Sequence, residues 1–236
     1  VGQLLMAPLD VTNYETMLGE YCCGSLIVWS PKSEQPFADP LGALVNTAQA
    51  VSLAERGLPC WLHGCTGGLG WRPGWLTQAV HNASPEETEA AAAIFGRRWR
   101  AVGLHNLPEP VLNVRLFDTG IMLHWDTKAD AATVARYGLA LARGLTSVRC
   151  GSMAQHFPAH GATPLDSHTA YPVVELDRDT LMRDHLQSYR DCFDAGCLTI
   201  CTAHRAVPAL DPDPDHIATT SRPILTDFLR GELGFR

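Results

Sequence analysis

The sequence predicts an α/β fold in which short buried strands alternate six times with longer helices. The observations behind this prediction are nearly continuous apolar runs and the amphipathic helical segments between them. The composition of the 236 residues, 46% hydrophobic and 18% charged, is that of a globular protein with one sizeable core. Strict alternation of strand and helix implies right-handed crossovers, in either a barrel or an open doubly wound sheet.

The strand candidates are apolar on both faces, which is typical of strands buried inside a parallel sheet. They are GQLLMA (2–7), SLIVWS (25–30), PCWLH (59–63), EPVLNV (109–114), GSMAQHF (151–157) and CLTICTA (197–203). No Gly-x-Gly-x-x-Gly pattern follows the first strand, and no Gly-x-x-x-x-Gly-Lys-Ser/Thr pattern occurs. The sequence therefore supports neither dinucleotide nor P-loop phosphate binding, and we expect no cofactor.

The helix candidates carry recognisable start and stop signals. In the segment 84–103, Ser84 is the predicted cap, Pro85 occupies the first turn and Glu87 completes a capping box. Gly103 is the predicted stop of that helix. The same reasoning predicts helices at 129–145, 179–196 and 220–234.

Charge and cysteine content exclude several classes of function. The formal net charge of −7 argues against a nucleic-acid backbone or an anionic membrane surface as the main partner. No apolar run approaches the ~20 residues that a membrane span needs. The eight cysteines include no Cys-x-x-Cys pair, which argues against a zinc ribbon or a thioredoxin-like site. We interpret them as reduced core thiols, typical of a cytoplasmic protein.

The stretch QHFPAHGATPLDSH (155–168) concentrates titratable side chains directly after the fifth predicted strand. It contains His156, His160, Asp166 and His168. In a barrel, chemistry lies just past the carboxyl ends of the strands, which is where this stretch falls. Three interpretations are open: an acid–base site, a zinc site built from these ligand types, or histidines with surface and packing roles.

The same stretch, with SYRDCFDAGCLTICTAHRAVPALD (188–211) and TSRPILTDFLRGELGF (220–235), resembles the N-terminal barrel of glycoside hydrolase family 3. It is most similar to the bacterial β-N-acetylglucosaminidases of that family. The resemblance implies a (β/α)8 TIM-type barrel over residues 1–236, with only about six βα units visible. It also implies hydrolysis of a β-linked N-acetylhexosamine or a related amino sugar, with a carbohydrate or a glycosylated small molecule as partner.

The resemblance assigns roles to individual residues. His168 and Asp166 correspond to an acid–base pair on a mobile loop, in which the carboxylate fixes the imidazole tautomer and stabilises its protonated form. His160 corresponds to a loop histidine with a more structural role. Because Gly161 to Pro164 present little apolar surface, we expect the loop after His160 to be a poorly anchored lid. Substrate contacts are expected at His156, Gln155, Gly64, Trp125 and His204, and no metal is expected.

The sequence departs from the family at charged sugar-binding positions. The third strand of the family ends Asp-Gln-Glu-Gly-Gly-Arg, whereas Gly64, Thr66 and Leu69 stand at its charged positions here. Trp125 falls near a sugar-binding arginine, and Gln155 replaces a lysine. Each lost charge-assisted hydrogen bond is worth roughly 1.5–3 kcal/mol. The candidates for compensating stacking surfaces are Trp61, Trp71 and Trp125.

The resemblance places the nucleophilic aspartate on a seventh strand directly after ELGF (232–235), whereas this sequence ends at Arg236. We therefore expect a fragment, or a second chain or missing segment that completes the barrel. Two alternatives to a glycosidase remain open. One is a catalytically impaired sugar- or partner-binding module, and the other is a lyase or transferase that uses His168 as general base.

Overall fold

The computed structural model describes residues 6–9, 14–28, 38–64, 79, 82–118 and 129–236. Within these ranges, six parallel strands form one sheet in chain order. They are β1 (Met6–Leu9), β2 (Ser25–Val28), β3 (Trp61–Gly64), β4 (Asn106–Leu107), β5 (Gly151–Phe157) and β6 (Thr199–Thr202). A doubly wound sheet reverses its order at a switch point. This sheet does not, so the order is that of a TIM-type barrel, as the resemblance implies.

β5 has the bounds predicted for it, β3 and β6 each begin two residues later than predicted, and the largest differences concern β1 and β4. β1 reaches Leu9, and residues 2–5 of the predicted strand lie outside the described residues. The strand predicted at 109–114 is not observed: β4 lies before it, at Asn106–Leu107, and Val111 forms an isolated parallel bridge with Gln155. The reason is that Pro108 and Pro110 have no N–H to donate to a strand ladder.

The segment after β4 nevertheless keeps the place of a strand. Its backbone hydrogen bonds to β5 are Met153 N to Glu109 O (2.8 Å), Gln155 N to Pro110 O (3.0 Å) and Leu112 N to Gln155 O (2.6 Å). These bonds carry the chain along β5 to its carboxyl end. Asn113 consequently arrives beside the first residues of the histidine-containing loop.

The predicted helices are confirmed, with small differences at their ends. The helices are α1 (Ala38–Arg56), α2 (Pro85–Ala101), α3 (Ala131–Ser147), α4 (Arg178–Leu181) and α5 (Gln187–Asp194). The π-helical segments are Thr16–Glu20, Met182–Leu186 and Pro223–Glu232. α1 and Thr16–Glu20 are elements that the sequence patterns do not predict. Among the described helices, none is long and apolar enough to cross a bilayer.

The capping box of α2 forms as predicted. Ser84 Oγ accepts a hydrogen bond from Glu87 N at 3.2 Å, and Glu87 Oε2 accepts one from Ser84 N at 2.7 Å. Two amide groups at the exposed helix start are thereby satisfied.

Polar side chains cross the interior of the sheet below the loops. Asn106 Nδ2 lies 3.0 Å from His63 Nδ1 and donates to Thr199 Oγ1 at 2.9 Å. Burial, and secondarily the nearby His105, lowers the pKa of His63 to about 4. This buried histidine is therefore neutral at physiological pH. The hydrogen bonds of Asn106 to His63 and Thr199 connect β4 to β3 and β6 beneath the strand ends.

Candidate active site

His156 lies in β5 near its carboxyl end and is held by Asn113 from the neighbouring segment. Asn113 Oδ1 accepts the backbone N–H of His156 at 3.1 Å, and Asn113 Nδ2 lies 3.2 Å from His156 Nδ1. Because Oδ1 already faces a donor, the Asn113 amide group must donate through Nδ2 to Nδ1. The ring proton of neutral His156 is then on Nε2, which leaves an N–H donor on the opposite side of the ring.

His156 and His160 form a pair of neutral rings. Their centroids are 5.2 Å apart in an edge-to-face arrangement. Burial is the main cause that lowers the pKa of His156, to about 3, with smaller contributions from His160, Arg205, His168 and His204. Burial, followed by Arg205, likewise lowers the pKa of His160 to about 4. At neutral pH both rings can donate or accept hydrogen bonds without carrying charge.

The first part of the loop is firmly packed, which corrects the expectation of a poorly anchored lid. His160–Ala162 forms a buried 3-10 turn, and Thr163 is buried after it. Gly161 lies so close to the preceding segment that an added Cβ would stand 2.4 Å from the carbonyl oxygen of Val114. Small residues therefore allow close backbone approach here, and the exposed part of the loop begins at Pro164.

Gly161→Ala should lower the free energy of unfolding by about 1–3 kcal/mol, because the new Cβ meets backbone that cannot move independently. The matched control is Gly231→Ala, where the nearest atom to an added Cβ is the Thr226 carbonyl oxygen at an ordinary 3.6 Å. Chemical denaturation of both variants measures the difference. Equal stability of the two variants would show that the turn does not pack closely against the Val114 backbone.

Asp166 and His168 form the side-chain pair that the resemblance implies. Asp166 Oδ1 accepts the backbone N–H of His168 at 2.9 Å and faces His168 Nδ1 at 2.8 Å. The side chain of His168 is 68% exposed and that of Asp166 is 28% exposed, so the imidazole reaches solvent. The His168 backbone N–H, and then its ring, hold the pKa of Asp166 below its ordinary value. Nδ1 is thus the nitrogen bound to Asp166, and Nε2 is the nitrogen available to a ligand.

The other predicted contacts occupy different positions around this edge. Gln155 is buried, and its Nε2 donates to the carbonyl oxygen of Pro108. His204 follows β6, is exposed, and pairs through Nδ1 with Thr219 Oγ1 at 2.9 Å. Trp125 lies outside the described residues, as do Thr66, Leu69 and Trp71.

Gly64 ends β3 at the predicted edge, but the space for a side chain is occupied. An added Cβ would stand 1.8 Å from Cζ3 of Trp99, a buried residue of α2. The Trp99 ring of α2 therefore fills the space that a carboxylate side chain at this position would need. Trp61 begins β3 at the opposite end of the strand and stacks on His105, with centroids 5.1 Å apart. The expectation that Trp61 offers a sugar-stacking surface is therefore wrong.

The sequence patterns do not identify Asn113 as a site residue. The feature that could have pointed to it is its position as a polar residue within the apolar stretch 109–114. The sequence patterns also pass over another His–Asp pair, His216 and Asp211, whose Nδ1 and Oδ2 atoms are 3.0 Å apart. Asp211 additionally accepts from Ser221 Oγ at 2.6 Å, and Ser221 Oγ accepts the backbone N–H of Ile224 at 3.1 Å. This pair supports the start of the C-terminal π-helix, which is a structural role.

No metal-binding arrangement is found among the residues that the structure describes. In those ranges, no group of three or more His, Cys, Asp or Glu side chains is placed to hold an ion. The side chains described at this edge include the His156 ring, held by Asn113, and the exposed imidazole of His168, whose Nδ1 faces Asp166.

The chain is similar to a known protein family and to known bacterial proteins. The model of the glycosyl hydrolase family 3 N terminal domain matches residues 18–236. The beta-hexosaminidase of Nitrosomonas eutropha is 32% identical over 143 residues, which is 61% of this chain and 40% of that protein. The beta-hexosaminidase of Stenotrophomonas maltophilia (strain K279a) is 28% identical over 207 residues, which is 86% of this chain and 50% of that protein.

A solved structure shows the same architecture. The glycoside hydrolase family 3 beta-N-acetylglucosaminidase from Paenibacillus sp. str. FPU-7 superposes with a TM-score of 0.87 at 25% identity. The match covers 99% of this chain and 46% of that chain. The chain thus spans half or less of the length of these relatives. The match of the family model over residues 18–236 shows that the chain belongs to glycosyl hydrolase family 3, to whose N-terminal domain it corresponds.

Proposed function

We propose that this chain provides the acid–base part of a β-N-acetylhexosaminidase site at the carboxyl ends of its strands. The observation that carries the proposal is the Asp166–His168 pair, which is exposed on the loop that follows β5. A retaining glycosidase needs a proton donor at the glycosidic oxygen and a carboxylate nucleophile. We assign the first role to His168 and assign no residue of this chain to the second.

In the proposed reaction, protonated His168 transfers its Nε2 proton to the glycosidic oxygen as the bond between that oxygen and the anomeric carbon breaks. The anomeric carbon bonds to the carboxylate nucleophile, which water displaces in the second half of the reaction. Asp166 holds the imidazole in its orientation beforehand through the 2.8 Å contact at Nδ1. In the second half of the reaction, neutral His168 accepts a proton from the attacking water at Nε2. His156, with its Nε2–H directed away from Asn113, donates a hydrogen bond to a sugar hydroxyl group.

Several further observations support this assignment. The relatives that match this chain are named beta-hexosaminidases or a beta-N-acetylglucosaminidase, which favours an N-acetylhexosamine as the sugar. The proposed unit is a single barrel domain over residues 1–236. A cytoplasmic location is proposed on the cysteines, since burial holds the pKa of the Cys192 thiol well above its ordinary value and the thiol packs as a small hydrophobe.

A panel of aryl β-glycosides, incubated with the full-length natural protein, tests the proposal. We expect release of the aryl alcohol from the β-N-acetylglucosaminide and not from the matched β-glucoside or from the α-anomer. The control is Arg97→Met, an exposed substitution on α2 that should leave the rate unchanged. Absence of turnover for every member of the panel would contradict the proposed reaction.

A sugar- or partner-binding module is the second candidate function. The observation that favours it is the contact between Gly64 and Trp99, which excludes a carboxylate from the end of β3. Isothermal titration calorimetry with N-acetylglucosamine separates the two candidates when read beside the activity panel. Binding of the sugar without turnover of any glycoside favours the module, and turnover favours the enzyme.

A further inference from the structure

Arg205 is a charged side chain enclosed in the wall of the candidate site. It follows β6 and its exposed fraction is 0%. Its Nη1 donates to the carbonyl oxygen of His160 at 2.7 Å, which is a charge-assisted hydrogen bond. A guanidinium group is buried only where such bonds offset the loss of hydration. The bond therefore joins the β6 side of the barrel to the start of the loop that carries Asp166 and His168.

The next residue, Ala206, holds the other end of the same loop. Its backbone N–H donates to the carbonyl oxygen of Pro172 at 3.0 Å, and its carbonyl oxygen accepts the N–H of Val174 at 3.0 Å. These bonds form a short parallel bridge between Val173 and Ala206. Two consecutive residues after β6 thus hold the start of the loop at His160 and its end at 172–174.

The backbone of Arg205 is itself held by two hydrogen bonds. Its backbone N–H donates to the carbonyl oxygen of Ala203 at 3.1 Å, and its own carbonyl oxygen accepts the N–H of Ala218 at 2.8 Å. The guanidinium is therefore carried by a backbone that is fixed on both sides. A substitution of the side chain alone should leave this backbone support in place.

The charge of Arg205 also acts on the two neutral rings of the site. Beside burial, it is a cause that lowers the pKa of His160 and of His156. The other groups that act on His160 are Asp166 and His168, and those that act on His156 are His160, His168 and His204. Removing the guanidinium should raise the pKa of His160 while burial, the larger cause, remains.

We propose that Arg205 is a positioning residue, which fixes the start of the Asp166–His168 loop through the His160 carbonyl. The proposal rests on the proposed function for the role of the loop. The positioning role of Arg205 can be tested without that function, because hydrogen exchange of the loop and the titration of His160 are measurable without any substrate.

The experiment compares Arg205→Met and Arg205→Gln with Arg205→Lys and with the exposed control Arg97→Met, all in the full-length protein. Hydrogen exchange followed by mass spectrometry reports on peptides that cover 158–174 and, as an internal reference, on α3. In both neutral variants we expect the loop peptides to exchange about tenfold faster or more, as the loss of one charge-assisted hydrogen bond implies. The α3 peptides should be unchanged.

Nuclear magnetic resonance titration of the histidine rings provides the second readout, which a general loss of stability would not move. His160 should titrate at a higher pH in the neutral variants, by about one pH unit or less because burial persists. Arg205→Lys, which keeps the charge, should titrate close to the parent. If Arg205→Met does not fold, the Gln variant decides both readouts. Parent-like exchange and titration in a folded neutral variant would overturn the proposal.

The two hypotheses can fail separately. If the parent protein hydrolyses no glycoside while the neutral variants show a loosened loop, the proposed function fails and the role of Arg205 stands. If the parent is active and both readouts are unchanged in the variants, the role of Arg205 fails and the function stands. In an active protein with the role confirmed, the neutral variants should lower kcat more than they raise KM.

Discussion

His168→Ala should lower kcat on aryl β-N-acetylhexosaminides by about 10²–10⁴-fold, the range typical of a lost general acid or base. KM should change little, because His168 acts on the bond being broken and His156 makes the proposed contact to the sugar. The expected loss follows from the geometry of the pair, in which Asp166 binds Nδ1 at 2.8 Å and leaves Nε2 free for proton transfer. Steady-state kinetics of the full-length protein measure the effect.

The matched control for this prediction is His216→Gln. His216 also pairs with an aspartate, Asp211, at 3.0 Å, but that pair supports the C-terminal π-helix. Its loss should reduce stability and leave kcat close to that of the parent. Equal effects of the two substitutions on kcat would show that the Asp166–His168 pair has no special role in the reaction.

The effect of Asp166→Asn should depend on pH in a defined direction. The folded-state pKa of Asp166 is lowered by the His168 backbone N–H and ring. A carboxyl group of this kind is fully ionised above its ordinary pKa and loses its effect only as pH falls through the lowered value. The variant should therefore be impaired throughout neutral pH, and its rate should approach that of the parent only in acid. A rate–pH profile from neutral to acid pH measures this.

Gly64→Ala should lower the free energy of unfolding by about 2–4 kcal/mol, the largest loss of stability that we predict. An added Cβ would stand 1.8 Å from Cζ3 of Trp99, and two further ring atoms lie within 2.5 Å. Trp99 is buried in the core between α2 and the sheet, so its ring has no free space to move into. Urea denaturation, with the transition followed by tryptophan fluorescence, measures the change.

The control for Gly64 is Gly42→Ala in α1, where an added Cβ meets no atom within 4 Å. In a helix this change should raise stability by about 0.5–1 kcal/mol. A Gly64→Ala variant as stable as Gly42→Ala would mean that β3 can accept a side chain. The contact with Trp99 would then no longer explain why a carboxylate is missing from the end of β3.

The sequence patterns predict the strands well where apolar runs are not interrupted. β5 is observed at Gly151–Phe157, the range predicted, and no proline interrupts it; it pairs with β4 at its start and with β6 from Met153, with a register shift between Gln155 and Phe157. The strand predicted at 109–114 is not observed, and β4 ends before it at Leu107, because Pro108 and Pro110 cannot donate hydrogen bonds. The alternation of strands and helices indicates the layer architecture, whereas the boundaries depend on individual backbone donors.

The candidate site is predicted in part, and the missing part is long-range. Asp166 and His168 are two residues apart, so a single turn brings them together, and local sequence is sufficient to predict the pair. Asn113 reaches His156 across 43 positions of the chain, and Arg205 reaches the His160 carbonyl across 45. No local pattern reports such contacts, since they exist only after the parallel strands have aligned their carboxyl ends.

The most direct measurement of the central claim, that His168 protonates the leaving group, is the dependence of kcat/KM on the acidity of that group. A series of aryl β-N-acetylglucosaminides with increasingly acidic phenols is hydrolysed by the full-length parent and by His168→Ala. We predict a shallow dependence for the parent and a steep one for the variant, in which the most acidic phenols leave without a proton and recover near-parental rates. Equal slopes for the parent and the variant would contradict the assignment of His168 as the general acid.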